Sequence, residues 1–293
     1  MKLKDIYDEW RKRTLPPSVN DIDWRMNELR LRLQQIQRQL DSRIASPDCS
    51  AESQKAILEF FRLLRPHRVD GYSKIRLGSP NDGGYVQIDD PSRISLALSL
   101  GISNDDNWDF ALAKLGIPVE QFDHTIEAAP TQHPLLAFHK KKVTPLPSAD
   151  SVTLPEIIKR GSANSDAHLI LKIDIEGDEW AVIDSTPDEC FEYVSQIICE
   201  FHGLSQLTEA GFYRLARRVL EKLDRRFSVF HVHGNNCSPL VNLSNVVIPN
   251  VLEVSFANRA MYAVSESDEL YPTDLDAPCD ANYPDYYLGS FRF

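Results

Sequence analysis

Short runs of apolar residues alternate with amphipathic helical patterns through most of the chain. The run Leu169–Ile173 is bounded by polar turn residues, which is typical of a strand buried on both faces, and we expect it to be a central strand. Further strands are predicted at 94–100, 119–123, 142–145, 196–201, 227–233 and 251–257. Helices are predicted at 52–64, 108–115, 154–160, 179–183 and 211–224. Strands that alternate with helices predict an α/β fold.

The first fifty residues follow a different pattern, a heptad repeat. Apolar residues recur at alternating spacings of four and three, at Ile22, Met26, Leu29, Leu33, Ile36 and Leu40. Leucine predominates at the a positions and isoleucine at the d positions, which favours coiled coils of more than two strands. We therefore expect residues 1–50 to be a helical segment that forms a homo-oligomer through residues 20–44, ahead of a globular domain at 51–293. The alternative is an amphipathic helix packed on its own globular body.

Acidic residues crowd the end of the predicted central strand. Asp174 is the first residue past the buried run, and a carboxylate there needs a partner, a cation or a ligand to offset its desolvation. Gly177 permits a sharp turn. Asp178 is placed to cap the next helix, so Asp178 and Glu179 also have a purely structural explanation. Because ligands bind at the carboxyl ends of strands in open α/β sheets, the cluster marks a candidate site.

Two glycine-containing turns are candidates for holding a nucleoside. Asn81–Gly84 lies between two β-like runs and predicts a hairpin, whose glycines either serve the turn alone or let backbone approach a ligand. Ser99–Ser103 joins a strand to a helix, the arrangement that binds phosphates or nucleosides. Asp123 ends the next strand about twenty residues later, where Rossmann-type folds present a carboxylate to ribose hydroxyls. An ordinary surface acid is the alternative for Asp123.

Two other strands end in pairs of ionisable residues. Alternation places Glu200 and His202 on one face of the first strand, and His231 and His233 on one face of the second. Histidine titrates near neutrality and suits a general base, whereas carboxylates together with imidazole suit a divalent ion. Each histidine also has a structural explanation, as a hydrogen-bonded buried residue.

Composition and charge bear on the kind of partner that the protein can bind. The chain has 293 residues, is 42% hydrophobic and carries a formal net charge of −11. Residues 1–45 hold ten basic and seven acidic side chains, which leaves 22 basic against 36 acidic in the remainder. This excess of acidic residues beyond residue 45 would repel the phosphates of a nucleic acid, and we expect no nucleic-acid partner.

Cysteines and hydropathy bear on the compartment. The five cysteines are odd in number and contain no Cys-x-x-Cys pair, which argues against a disulfide framework or a zinc knuckle. No apolar run approaches the length of a membrane span, and the charged start lacks a signal core. We expect reduced thiols, no transmembrane segment and a cytoplasmic location, with a peripheral position on the inner face of the membrane as the alternative.

Six stretches match the motifs of a known family, at 76–86, 98–103, 122–123, 171–177, 231–236 and 248–254. Through them the chain beyond about Arg65 resembles the FkbM-like, S-adenosylmethionine-dependent methyltransferases. The turn at 98–103 departs from the Gly-x-Gly-x-Gly of many such enzymes. The resemblance implies an α/β, Rossmann-like class I sheet of seven strands in the order 3-2-1-4-5-7-6, with the seventh antiparallel. That order brings six ionisable residues to one edge: Asp174, Glu200, His202, His231, His233 and Glu253.

The resemblance also implies an activity, an S-adenosylmethionine-dependent O-methyltransferase. It suggests as acceptor a sugar hydroxyl of a glycan or glycoconjugate, as in polysaccharide biosynthesis. The candidate cofactor-binding residues are Asp82, Gly83, Gly84, Tyr85, Ser99, Gly101, Ser103, Asp123 and Asp174.

Methyl transfer to a hydroxyl needs a base or a metal, and the sequence leaves both open. The candidate catalytic residues are Asp174, His202 and His233, and the candidate ligands of Mg²⁺ or Mn²⁺ are Asp174, Glu200 and His202. Two alternatives belong to other classes: a metal-dependent hydrolase that uses the same cluster, and a non-catalytic assembly module built on the coiled coil. A nucleoside pocket distinguishes them, because a hydrolase would not need one.

Overall fold

A computed structural model describes residues 50–162 and 168–293. The strands, numbered in chain order, are β1 (His67–Val69), β2 (Lys74–Gly78), β3 (Gly84–Ile88), β4 (Leu96–Leu100), β5 (Val119–Phe122), β6 (Leu136–His139), β7 (Lys142–Val143), β8 (Ser151–Val152), β9 (Leu169–Ile173), β10 (Val194–Phe201), β11 (Phe227–Gly234), β12 (Leu240–Leu243), β13 (Val246–Pro249), β14 (Leu252–Asn258) and β15 (Val264–Glu266). The α-helices are α1 (Ala51–Arg62), α2 (Asn107–Lys114), α3 (Leu154–Gly161), α4 (Glu179–Ser185) and α5 (Ala210–Asp224).

A seven-stranded sheet forms the centre of the domain, in the order β11-β14-β10-β9-β4-β5-β6. Neighbours from β10 to β6 run parallel, whereas β14 runs antiparallel to both β10 and β11. This is the order 3-2-1-4-5-7-6 with an antiparallel seventh strand. The predicted class I methyltransferase fold is therefore confirmed.

One predicted strand was wrong. The third parallel strand is β6 at 136–139, and the predicted run at 142–145 instead contributes β7 to a small pair with β8. Among the described strands, β6 pairs only with β5 at the sheet edge and is partly exposed, so its sequence lacks the continuous apolar run of a central strand. Val143 is buried and pairs with Val152 of β8.

The core forms on both faces of the sheet. All five residues of β9 are buried, as predicted for a central strand. One cluster of buried side chains joins Phe61 of α1, Leu171 of β9, Trp180 of α4 and Phe291 near the end of the chain. Asp178 occupies the residue before α4 as predicted, but its side chain makes no capping bond and lies 2.6 Å from Lys142 Nζ instead.

The predicted hairpin, β2–β3, is tied to the sheet by buried side chains. Gln196 of β10 accepts a hydrogen bond from Ile88 N at 2.8 Å, and Ser255 of β14 donates to the carbonyl of Val86 at 2.6 Å. The turn is held as well, because Asn107 at the start of α2 donates to the Ser79 hydroxyl. β3 is thereby held against β10 and β14 of the sheet.

The predicted heptad seam, the oligomer through residues 20–44 and the segment boundary at 50 fall on residues 1–49, outside the described residues. They remain predictions. Within 50–162 and 168–293, no helix combines the length and the apolar character that a bilayer span requires.

Candidate active site

A cavity of about 840 Å³ opens at the carboxyl ends of β4, β5 and β9. The hairpin turn forms one wall. Seven of the nine predicted cofactor residues line this cavity: Asp82, Gly83, Tyr85, Gly101, Ser103, Asp123 and Asp174. Ser99 is fully buried in β4, and Gly84 closes the hairpin where a Cβ would lie 2.2 Å from the Ser79 carbonyl oxygen. Neither of these two residues lines the cavity.

Asp123 connects the two turns that border the cavity. Its Oδ2 accepts from the backbone N–H groups of Ile102 and Ser103, both at 2.9 Å. Its Oδ1 accepts from the N–H and hydroxyl of Thr125, at 2.7 and 2.6 Å. Burial raises the pKa of Asp123, but these hydrogen bonds outweigh it and hold the pKa below its ordinary value. The carboxylate is therefore ionised, with a donor already on each of its acceptor positions.

Gly101 is required by the packing of two strand ends. Its φ is +78°, and a Cβ there would lie 1.7 Å from the carbonyl oxygen of Asp174. Gly101 therefore lets the turn after β4 press against the residue that follows β9.

We expect Gly101→Ala to lower the free energy of unfolding by about 2–5 kcal/mol, since it combines an unfavourable φ with a clash against backbone. Gly116→Ala is the matched control, because Gly116 has a φ of +86° but no atom of residues 50–162 or 168–293 within 4 Å of an added Cβ. The control should cost only about 1–2 kcal/mol. Urea denaturation measures the free energy of unfolding of both variants. Equal losses of stability would mean that the Asp174 backbone moves away from the added Cβ at no measurable cost.

Lys172 is a site residue that the sequence analysis missed. It sits in the buried strand β9 and lines the cavity. Its ammonium donates to the Gly101 carbonyl, lies 3.7 Å from Asp174 Oδ2 and stands 5.2 Å from the centre of the Tyr85 ring. The available signal was a lysine inside an otherwise apolar strand, because such a charge requires partners.

Two more side chains near Lys172, those of Tyr85 and Asp109, have shifted pKa values. Tyr85 donates its hydroxyl to Asp174 Oδ2 at 3.0 Å, and burial together with Asp174 raises the pKa of Tyr85 well above its ordinary value. Burial also raises the pKa of Asp109, to about 6, against the opposing effect of Lys172. Lys172 is thus the basic residue among the polar side chains of Tyr85, Asp109 and Asp174.

His202 lies among four carboxylates just past β10. Its Nε2 is 4.0 Å from Asp174, 3.6 Å from Glu176 and 3.7 Å from Glu200, and its Nδ1 is 3.4 Å from Glu179. Burial alone would lower the pKa of His202, but the carboxylates outweigh it and raise the pKa above its ordinary value.

Glu179 and Glu176 play different parts around this histidine. Glu179 is fully buried and accepts from the N–H groups of Gly177 and His202, so it holds the two loops together. Glu176 is exposed, lines the cavity and has a φ of +56°, a left-handed conformation that non-glycine residues rarely adopt. The turn after β9 thus points one carboxylate inward and one toward the ligand space.

Glu200 lies at the centre of an acidic group. Asp174, Glu200 and His202 each offer a ligand atom within 4.8 Å of the others, and Asp82, Glu200 and Glu253 do the same. Burial and the neighbouring carboxylates raise the pKa of Glu200 well above its ordinary value. Such crowding of like charges is offset when a cation is bound.

The other two predicted histidines, His231 and His233, make hydrogen bonds to carboxylates outside the cavity. His233 Nδ1 is 3.0 Å from Glu253, and its Nε2 is 2.9 Å from Asp285, so both ring nitrogens already have carboxylate partners. His231 is 2.7 Å from Asp276. Neither histidine lines the cavity. The structure therefore brings Asp174, Glu200 and His202 together beside the cavity, although only Asp174 of these three lines it. Glu253 and His233 lie behind them, and His231 lies apart.

Comparison with known proteins adds little to this geometry. No family model matches the chain, and no curated protein matches it. Among solved structures, spermidine synthase from Thermotoga maritima is similar over 66% of this chain and 73% of that one, at 12% identity and a TM-score of 0.32. A likeness at this level says nothing about function. The class I fold is instead established by the order and direction of the strands, and membership of the FkbM-like family stays a prediction.

Proposed function

We propose that the protein is an S-adenosylmethionine-dependent O-methyltransferase that uses a divalent cation. The observation that carries the proposal is the adjacency of two features: a nucleoside-sized cavity at the first two strand ends, and the Asp174–Glu200–His202 group beside it. Asp174 belongs to both, because it lines the cavity and supplies a carboxylate to the group. A methyl donor held in the cavity would thus lie next to groups able to activate an acceptor.

The cavity residues fit the cofactor. Its volume of about 840 Å³ falls in the range of small-molecule sites. Asp123 would receive a ribose hydroxyl on Oδ1 in place of the Thr125 hydroxyl, with Ile102 and Ser103 fixing its position through Oδ2. Asp174 and Glu176 offer negative charge for a sulfonium or an ammonium. When bound, the cofactor supplies an electrophilic methyl group for in-line transfer.

The Asp174–Glu200–His202 group fits a hard divalent ion. Two ligands of one Mg²⁺ at ~2.1 Å each lie roughly 3 to 4.2 Å apart. The separations of 3.7 and 4.0 Å from His202 Nε2 to Glu200 and Asp174 fall in that range. A bound ion would act as a Lewis acid on the acceptor hydroxyl. The chain's own part is to hold these ligands, through Asn235 on Glu200 at 2.7 Å and Tyr85 on Asp174.

The proposed acceptor is a sugar hydroxyl of a glycan. The acidic surroundings of His202 would repel a phosphate backbone and accept a neutral polyol. Exposed Glu176 can accept hydrogen bonds from other hydroxyls of the same sugar. The hydrolase alternative is not favoured, because it gives no role to the cavity at Asp123.

Two measurements test the proposal. Calorimetric titration with S-adenosylhomocysteine should show one site per chain. Labelled S-adenosylmethionine should pass its methyl to one or more neutral polysaccharides in a panel that also contains acidic ones and RNA. Absence of S-adenosylhomocysteine binding would overturn the cofactor assignment, and transfer only to RNA or acidic glycans would overturn the acceptor class.

Replacing Asp123 should weaken the binding of S-adenosylhomocysteine. Loss of hydrogen bonds from ribose to a charged group costs ~1.5–3 kcal/mol, so Asp123→Ala should lower the affinity roughly ten- to a hundredfold. Calorimetry gives the value, and unchanged affinity would contradict the assignment.

Thr125→Val is the informative control for that variant. The Thr125 hydroxyl occupies an acceptor position of Asp123 that a ribose would claim. Its removal should leave the affinity unchanged or raise it. If Thr125→Val weakens binding as much as Asp123→Ala, Asp123 serves only to hold the turns.

A further inference from the structure

The segment from 267 to 293 covers the ends of β11 and β14 and brings three ionisable side chains to them. As described, this segment contains no helix or strand and makes an isolated bridge between Tyr271 and Gly289. Asp276 lies 2.7 Å from His231 Nε2, and Asp285 lies 2.9 Å from His233 Nε2. The Cys279 thiol donates to Glu253 Oε1 at 3.1 Å. We call residues 267–293 the C-terminal strap.

We propose that His233, Glu253 and Cys279 form a structural zinc site that fastens the C-terminal strap to the sheet. Their ligand atoms lie within 4.8 Å of one another, and all three residues are buried. Imidazole, carboxylate and thiolate are the ligands that Zn²⁺ takes in proteins. The inference does not rest on the proposed methyl transfer.

Asp285 supports this assignment from the far side of the ring. Both of its oxygens lie 2.9 Å from His233 Nε2, so this nitrogen carries a proton that Asp285 accepts. His233 Nδ1 lies 3.0 Å from Glu253 Oε2, and a metal would take the place of the proton between these two atoms. A carboxylate on the outer nitrogen is the usual support of a metal-bound histidine.

The separations fit a small cation with slight adjustment. In a tetrahedral zinc site with Zn–N of ~2.0 Å and Zn–S of ~2.3 Å, neighbouring ligand atoms lie roughly 3.3–3.7 Å apart. His233 Nδ1 is 3.0 Å from Glu253 Oε2, and Cys279 Sγ is 3.1 Å from Glu253 Oε1, so the two ligands contact different oxygens of one carboxylate. A turn of this carboxylate would bring one oxygen to an ion held between the other two ligands.

Charge also favours a cation here. Glu253 is directly opposite Glu200 in the β10–β14 pairing and shares a close group with Glu200 and Asp82. Without a metal, His233 Nδ1 donates to Glu253 Oε2, and the Cys279 thiol donates to Glu253 Oε1. Zinc would take the Nδ1 lone pair, a Glu253 oxygen and the thiolate, and would release the Nδ1 and thiol protons to solvent.

Cobalt substitution tests the site in the full-length protein. Co²⁺ bound by a thiolate gives a charge-transfer band in the near ultraviolet, which the Asp174–Glu200–His202 group cannot give because it lacks sulfur. The band should appear at one equivalent per chain, disappear in Cys279→Ser and persist in Cys190→Ser and Asp174→Asn. No band in the wild type, or a band that survives Cys279→Ser, would overturn the proposal.

A second measurement needs no variant. In the wild type, removal of zinc should speed amide hydrogen exchange across residues 276–286 by about tenfold or more, because this part of the strap loses its fastening. Exchange across 210–224 in α5 is the internal control and should change little. Equal exchange at 276–286 with and without zinc would overturn the proposal, whatever the result for cofactor binding.

Discussion

His202→Ala should lower the rate of methyl transfer about 10²–10⁴-fold and leave the affinity for S-adenosylhomocysteine nearly unchanged. His202 is the one described histidine that belongs to the group beside the cavity, and under the proposed function it would act there as a metal ligand or as a base. It does not line the cavity itself, so its loss should spare donor binding. The assay uses labelled cofactor with the acceptor found in the polysaccharide panel.

His168→Ala is the matched control. His168 precedes the same strand, β9, whose other end leads to Asp174, and so it lies at the opposite edge of the sheet. Its replacement should leave the rate within about threefold of the wild type, as is usual for sites away from the chemistry. Full activity in His202→Ala would remove this histidine from the mechanism.

Chelation should have an even larger effect. EDTA is expected to abolish turnover, and Mg²⁺ or Mn²⁺ to restore it, because Asp174 and Glu200 supply the oxygen ligands that these ions prefer. Glu200→Gln should resist restoration at the same ion concentration. Recovery with Mg²⁺ also separates this centre from the proposed zinc site, since a hard ion does not favour thiolate.

A purely histidine-based mechanism makes the opposite forecast. Turnover would then ignore the chelator and rise with pH as His202 loses its proton. Because the surrounding carboxylates raise the pKa of His202, that rise would be centred above the ordinary value of about 6.5. A flat response to EDTA together with this pH profile would replace the metal by a base.

The interior of the fold was predictable because burial imposes a pattern. β9 matches its predicted bounds, since a strand covered on both faces must be apolar throughout. The edge strand β6 was not predicted, because a partly exposed strand need not be apolar throughout. Lys172 was overlooked for a related reason: its partners Gly101, Asp174 and Tyr85 come together only in the folded chain.

Part of the candidate site could be placed from the sequence, while the roles of its residues stay predictions. Asp123, Asp174, Glu200 and His202 were expected near one another because parallel strands end at one edge. Asp82, Gly83 and Tyr85 were expected there because a glycine turn lets backbone approach a ligand. Asp276, Cys279 and Asp285 were missed because the strap has no periodicity, and contacts made by irregular segments leave no local trace in sequence. His233 was found, but its two carboxylate partners identify it as a fixed group behind the cavity rather than as a free base.

The hairpin that walls the cavity bears on the thermodynamics of ligand capture. Gln196 and Ser255 fasten its second strand to the sheet, and Asn107 fastens its turn, through bonds that involve no ligand. Binding therefore need not order this wall, and the conformational entropy of its backbone is lost during folding instead. The heat capacity change on binding should then reflect the surface of the ligand and its pocket alone, without the larger contribution of coupled folding.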